Sequence, residues 1–178
     1  MATISGLLLF ISHSMNFIAG PTGTVVGKIG VFFAHLLLVF TFIGLYLKQG
    51  ERNGITGFLG MLFGVIGTVI VTAIVFVEIA GATGVVIGDI FLANGVNVLY
   101  NFGPLLFVLG VILMSISIIN GKIIHSMAGY FLLLGTFIFV SASFFVYVQA
   151  LFQVIGAFFT GAGFIYSAMK TKNYEIVT

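Results

Sequence analysis

The chain has 178 residues, 61% of them hydrophobic and 6% charged, with a formal net charge of +2 and a mean hydropathy of +1.31. A soluble domain carries about 25% charged residues, so a water-facing surface is excluded and the outer surface must face lipid. Six scattered basic residues form no stripe for nucleic acid, and the absence of cysteine rules out disulfides, thiolate metal sites and cysteine nucleophiles.

A helix crossing a bilayer needs about 20 mostly apolar residues. The chain therefore holds about six crossings in a single transmembrane domain, residues 1–178. The predicted fold is all-α, an integral membrane bundle of six transmembrane helices at about 3–20, 25–48, 55–81, 93–119, 126–147 and 148–169. The first span has an apolar run from Leu7 to Ile11 but no basic residue before it. A secretory signal normally has one, so this span is expected to be retained. Gly20-Pro21-Thr22-Gly23 predicts a turn, and so does Asn120-Gly121-Lys122. The segment Gln49-Gly50-Glu51-Arg52-Asn53-Gly54 reads as too polar to bury. The 82–92 segment is apolar for a loop and is expected to lie on or dip into the membrane surface. The gap between the last two spans is so short that Tyr147 to Gln149 must supply it.

Five of the six basic residues fall in three places: Lys48 with Arg52, Lys122, and Lys170 with Lys172. With six spans these loops and both termini share one side, and the bias of Lys and Arg marks it as cytoplasmic. Lys28 and Asp89 fall on the other side. Tryptophan is absent, so interfacial anchoring falls to Tyr46, Tyr100, Tyr130, Tyr147, Tyr166 and Tyr174.

Glycines at Gly57, Gly60, Gly64 and Gly67 line one face of the third span. A second stripe, Gln149, Gln153, Gly156, Thr160, Gly163 and Ser167, lines the sixth. Small residues at this spacing let helices approach closely in lipid. Strongly polar side chains inside a span raise a functional question. At about 1.5 Å per residue, His13 and Asn16 lie about 10 and 6 Å below the outer end, and His35 about 13 Å. Glu78, Lys28, Asn97, Asn101, Gln149 and Gln153 also fall in the outer half. The inner half holds mainly hydroxyls, which bond their own helix carbonyls. These positions predict an outward-facing polar pocket of His13, Asn16, His35, Glu78, Asn97, Asn101, Gln149 and Gln153 over an apolar plug. Gly103-Pro104 is expected to kink the fourth span beneath it.

Imidazole suits iron, copper and zinc, so His13 and His35 are candidate ligands of a metal ion or a haem. Each is alone on its helix, and the plain alternative is a hydrogen bond to a neighbour. Glu78 reads either as a partner of Lys28 or as a titrating carboxylate. His125, beside Lys122, reads as an interfacial residue. No Ser/His/Asp order, phosphate loop or transmembrane acid relay is present, which argues against an enzyme and against an ordinary proton-coupled antiporter.

The stretch from His35 through Gly44-Leu45-Tyr46-Leu47-Lys48-Gln49, then Glu51-Arg52-Asn53-Gly54, Gly57-Phe58-Leu59-Gly60 and Glu78 resembles a broad group of small multi-pass bacterial membrane proteins of unknown function. The resemblance covers residues 35–78 and implies a multi-pass protein of a bacterial inner or plasma membrane, with no activity attached. The leading functional expectation is a small membrane protein that binds a small ligand, a lipid or a partner subunit, in the bilayer, as a homo-oligomer or within a larger membrane complex. The alternatives are a haem- or metal-binding redox protein using His13 and His35, and a small-solute permease or channel.

Overall fold

The computed structural model describes residues 1–20 and 23–169. Pro21, Thr22, Lys170, Lys172, Tyr174 and Glu175, to which parts of the predicted turn, the basic tail and the aromatic anchors belong, lie outside the described residues.

The described chain is helical. Its elements are α1 (Ala2–Ala19), α2 (Val25–Gln49), α3 (Gly54–Ala82), the short α4 (Gly88–Leu92), α5 (Val96–Gly121), α6 (Ser126–Ser141) and α7 (Gln149–Met169). Five stretches are long and apolar enough to cross a membrane; one, Val25–Ala82, holds both α2 and α3. Six long helices therefore fit the six predicted spans. Each packs against its neighbour in the chain, α3 against α5 across the short α4, and α7 returns to pack on α1. The six thus form a closed ring, with α2 and α5 also touching across the middle.

One end of the ring carries Lys48, Arg52 and Lys122, and it is called the basic end below. Here Leu38, Phe42, Val111, Met114, Leu132 and Phe164 fill the centre, each at most 1% exposed. The outside is apolar as well: Phe40, Leu47, Phe76, Leu105 and Phe137 are all more than half exposed.

Glycine seams set the helix spacing. A Cβ on Gly60 would lie 2.5 Å from the Met114 backbone nitrogen, and one on Gly67 or Gly110 would collide with the backbone of Phe107 or Gly64. The α3 glycine face is thus the surface on which α5 rides. The predicted α7 stripe is divided. Gly156, Thr160 and Gly163 pack on Phe139, Gly135 and Leu132 of α6, whereas Gln149 is exposed and Gln153 half-buried. Closure of the ring rests on a contact with no stripe behind it, where a Cβ on Gly6 would come 2.5 Å from the Gly161 carbonyl oxygen.

Two expectations are corrected. The 49–54 turn is not wholly polar surface: Gln49 is 2% exposed and Asn53 4%. Asn53 Nδ2 donates to the carbonyls of Tyr46 (2.5 Å) and Gly50 (2.6 Å), Ser117 Oγ donates to the Asn53 carbonyl (3.0 Å), and Gln49 Nε2 donates to Asn53 Oδ1 (3.2 Å) and Ser117 Oγ (3.3 Å). Amides bury at little cost when their hydrogen bonds are made, as they are for Asn53, whereas Gln49 Oε1 is left buried without a partner. Gly50 and Gly54, at φ 54° and 56°, bend the chain tightly enough to aim both amides inward. The second correction is that α6 ends at Ser141 rather than near residue 147. Two 3-10 turns, Ala142–Phe144 and Val146–Val148, make the reversal. Ser141 Oγ bonds back to the Phe137 carbonyl at 2.8 Å, and the β-branched and aromatic run that follows has low helix propensity.

The seam predicts that Gly67→Val lowers stability by at least about 2 kcal/mol through overpacking against α5. Gly44→Ala, where no atom lies within 4 Å of the added Cβ, should stay within about 0.5 kcal/mol of the parent. Reversible unfolding of the detergent-solubilised protein measures both.

Candidate functional site

The end opposite the basic residues is built on two fastenings and one ion pair. Asn16, near the end of α1, accepts the Thr24 backbone N–H on Oδ1 at 3.0 Å. Thr24 caps α2, its Oγ1 accepting the Gly27 N–H at 2.9 Å. Asn16 therefore ties the first turn together through its Oδ1.

One turn into α2, Lys28 Nζ donates to Glu78 Oε2 of α3 at 2.6 Å. The side chains are 22% and 29% exposed, so the pair is neither sealed nor free in water. It forms one wall of a cleft of about 320 Å³ whose other walls are Gly81, Ala82, Val85, Ile87 and Phe91. Phe91, on α4, packs its ring against that of Tyr100 at a tilt of 38° with centroids 4.5 Å apart, which holds the short helix against the start of α5. The apolar 82–92 segment thus supplies most of the cleft. Linear order singles out Lys28, Glu78 and the unusual apolarity of the 82–92 segment, but not that this segment folds over the pair to wall a cleft.

His13 and His35 lie deeper. His35 is 6% exposed, and its Nδ1 is buried without a hydrogen-bond partner; His13 Nε2 is buried and unpartnered too. Each ring meets a phenylalanine edge to face, His13 with Phe139 of α6 (5.3 Å) and His35 with Phe107 of α5 (5.1 Å).

The pairing of α1 with α2 sets their relative depth. Ser5 Oγ lies 3.2 Å from Thr41 Oγ1, Ser12 packs on Gly30, and Leu9 and Ala34 share one buried cluster. By this register His13 is level with residues 29–30 and His35 with residue 8. The two imidazoles are therefore staggered by about five residues, roughly 7 Å along the helices, and not at similar depth. Counting from the span ends misplaced them because it could not include the offset of the first turn. No group of three or more His, Cys, Asp or Glu side chains suited to a metal occurs among the described residues.

The remaining candidates do not join this group. Asn97 Nδ2 donates to the Phe91 carbonyl (3.2 Å), and the exposed Asn101 donates to the Asn97 carbonyl (2.8 Å) and Oδ1 (3.1 Å). They serve their own helix and its start. Pro104, below them, lies inside a continuous α5. Gln149 and Gln153 make no side-chain hydrogen bond among the described residues. At the basic end, His125 Nδ1 accepts the Met127 N–H at 3.3 Å and caps α6, its ring against Tyr166 (5.5 Å). Lys48 Nζ donates to the Ser167 carbonyl at 2.8 Å, a favourable place for a cation near a helix C-terminus.

Compared with protein-family models, curated proteins and solved structures, the chain matches none.

The ion pair predicts a measurable coupling. Lys28→Gln and Glu78→Gln should each destabilise the protein, and the double variant should lose less than the sum by about 1 kcal/mol. A double-mutant cycle on unfolding of the solubilised protein checks this, and additive losses would mean that the pair contributes nothing.

Proposed function

We propose that the protein is a non-enzymatic integral membrane protein with six crossings and both termini cytoplasmic, and that its outer end binds an amphiphile with a charged head. Support for the crossings comes from the five long apolar stretches and the exposed aromatic and aliphatic girdle. Backbone polar groups that meet lipid must be satisfied within helices, and the described chain is almost wholly helical. The positions of Lys48, Arg52 and Lys122 support the orientation. The resemblance over residues 35–78 favours a bacterial inner or plasma membrane.

The observation that carries the binding reading is the Lys28–Glu78 pair set in an otherwise apolar cleft. An ammonium and a carboxylate at a partly open site offer complementary partners to a head bearing both signs, or to one charge at a time. Val85, Ile87 and Phe91 offer contact for the adjoining chain. The apolar centre beneath, around Leu38, Phe42 and Phe164, closes the basic half and favours binding over free passage.

Native mass spectrometry of the solubilised protein with phosphatidylethanolamine tests the reading. One lipid should be retained, with about tenfold weaker retention in the Lys28→Gln/Glu78→Gln variant, a loss of about 1.4 kcal/mol. Lys122→Gln should leave retention unchanged. Equal retention in all three, or equal retention of an uncharged diacylglycerol, rejects the cleft as the binding site.

A further inference from the structure

A series of polar groups descends from the cleft into the ring. It begins at the half-buried Lys28–Glu78 pair, passes His13 about level with residue 30, and ends at His35, about five residues deeper. Lys28 and His35 are seven residues apart on one face of α2, a span of roughly 10 Å. Beyond His35 the same face continues as Leu38, Phe42 and Leu45, all at most 3% exposed, so the polar series stops there.

Two of its members carry a buried nitrogen that no protein group satisfies. A buried imidazole nitrogen is costly to leave unpaired, and polar groups inside a membrane protein characteristically mark ion or proton paths. Buried polar nitrogens left unpaired in this way are the groups that ordered waters satisfy in protein interiors. A shared metal ion would need both nitrogens in one coordination sphere, and with His35 deeper by about 7 Å the axial stagger disfavours that.

We propose that His13 and His35 are successive steps of a water file that runs from the Lys28–Glu78 pair to His35 and ends there, making His35 a protonation site addressed from outside. The inference rests on the six-crossing reading above but not on the amphiphile. A proton from external water binds a free imidazole nitrogen and returns by the same file. No bond between heavy atoms forms or breaks, and no proton passes to the basic side.

Deuterium exchange at the imidazole C2 positions of the intact protein in liposomes, read by mass spectrometry, tests this. His125, at the basic end, is the internal reference. In the parent, His13 and His35 should exchange at rates within about tenfold of His125. His13→Phe should slow His35 by about tenfold or more while leaving His125 and the melting temperature unchanged. His13→Gln, which keeps a polar step, should restore most of the His35 rate. No exchange at His35 in the parent overturns the proposal without any variant, and an unchanged His35 rate in a folded His13→Phe overturns it too. Single-cysteine forms of this cysteine-free chain, Tyr147→Cys and Arg52→Cys, separate the two readings. If an impermeant maleimide labels both from one side of the membrane, the six-crossing reading fails. Labelling from opposite sides with a silent His35 rejects the water file alone.

Discussion

In hydrocarbon an apolar side chain gains nothing from leaving lipid for a neighbouring helix, so association depends on how closely backbones can approach. In this protein that approach is concentrated where α3 meets α5. Gly60, Gly64 and Gly67 on one helix and Gly110 on the other bring backbone against backbone. These two helices are joined through α4 and a long apolar link rather than a tight turn. The glycine seam therefore does what a short connection does elsewhere in the ring. It also brings Phe107 and Ser117 to their places, and with them one wall of the His35 site and one partner of the basic-end network.

The two ends of the ring treat polarity in opposite ways. At the basic end Gln49, Asn53 and Ser117 bond mainly to one another and to backbone carbonyls. A network bonded in this manner rigidifies a turn, with Gln49 Oε1 its one buried atom left without a partner. At the other end Lys28 and Glu78 are paired but partly open, and His13 and His35 each keep a buried nitrogen without a partner. Unspent hydrogen-bonding capacity is what a binding or proton-carrying site requires; of the four buried side-chain atoms without a partner among the described residues, two are these imidazole nitrogens and the others are Gln49 Oε1 and Thr68 Oγ1. The apolar layer of Leu38, Phe42, Met114 and Phe164 separates the two.

Much of the architecture was legible in the chain because it depends on composition along one dimension. Length and apolarity marked six helices, and the charged and glycine-bearing breaks marked most of their ends. Lys28 and Glu78 were readable as possible partners because both approach one end. The burial of Gln49 and Asn53 was not legible, since their partner Ser117 lies more than sixty residues away. Nor was the stagger of His13 and His35, which is fixed by the pairing of Ser5 with Thr41 and of Ser12 with Gly30. The early end of α6 escaped for a related reason: hydropathy does not fall at Ser141, although the backbone must turn there.

By itself the sequence determined the number of long apolar helices, the breaks between most of them and which breaks carry the basic residues, because hydropathy is a sum over residues in order. Only the tertiary structure decided which helix faces which, where the ring closes at Gly6 and Gly161, and which polar groups remain unsatisfied. Those outcomes turn on contacts between distant residues, and a one-residue change of register rotates a helical side chain by about 100°. The ion pair, the cleft and the two imidazoles form one polar end because the helices pack in this register, and nothing in their linear spacing requires it.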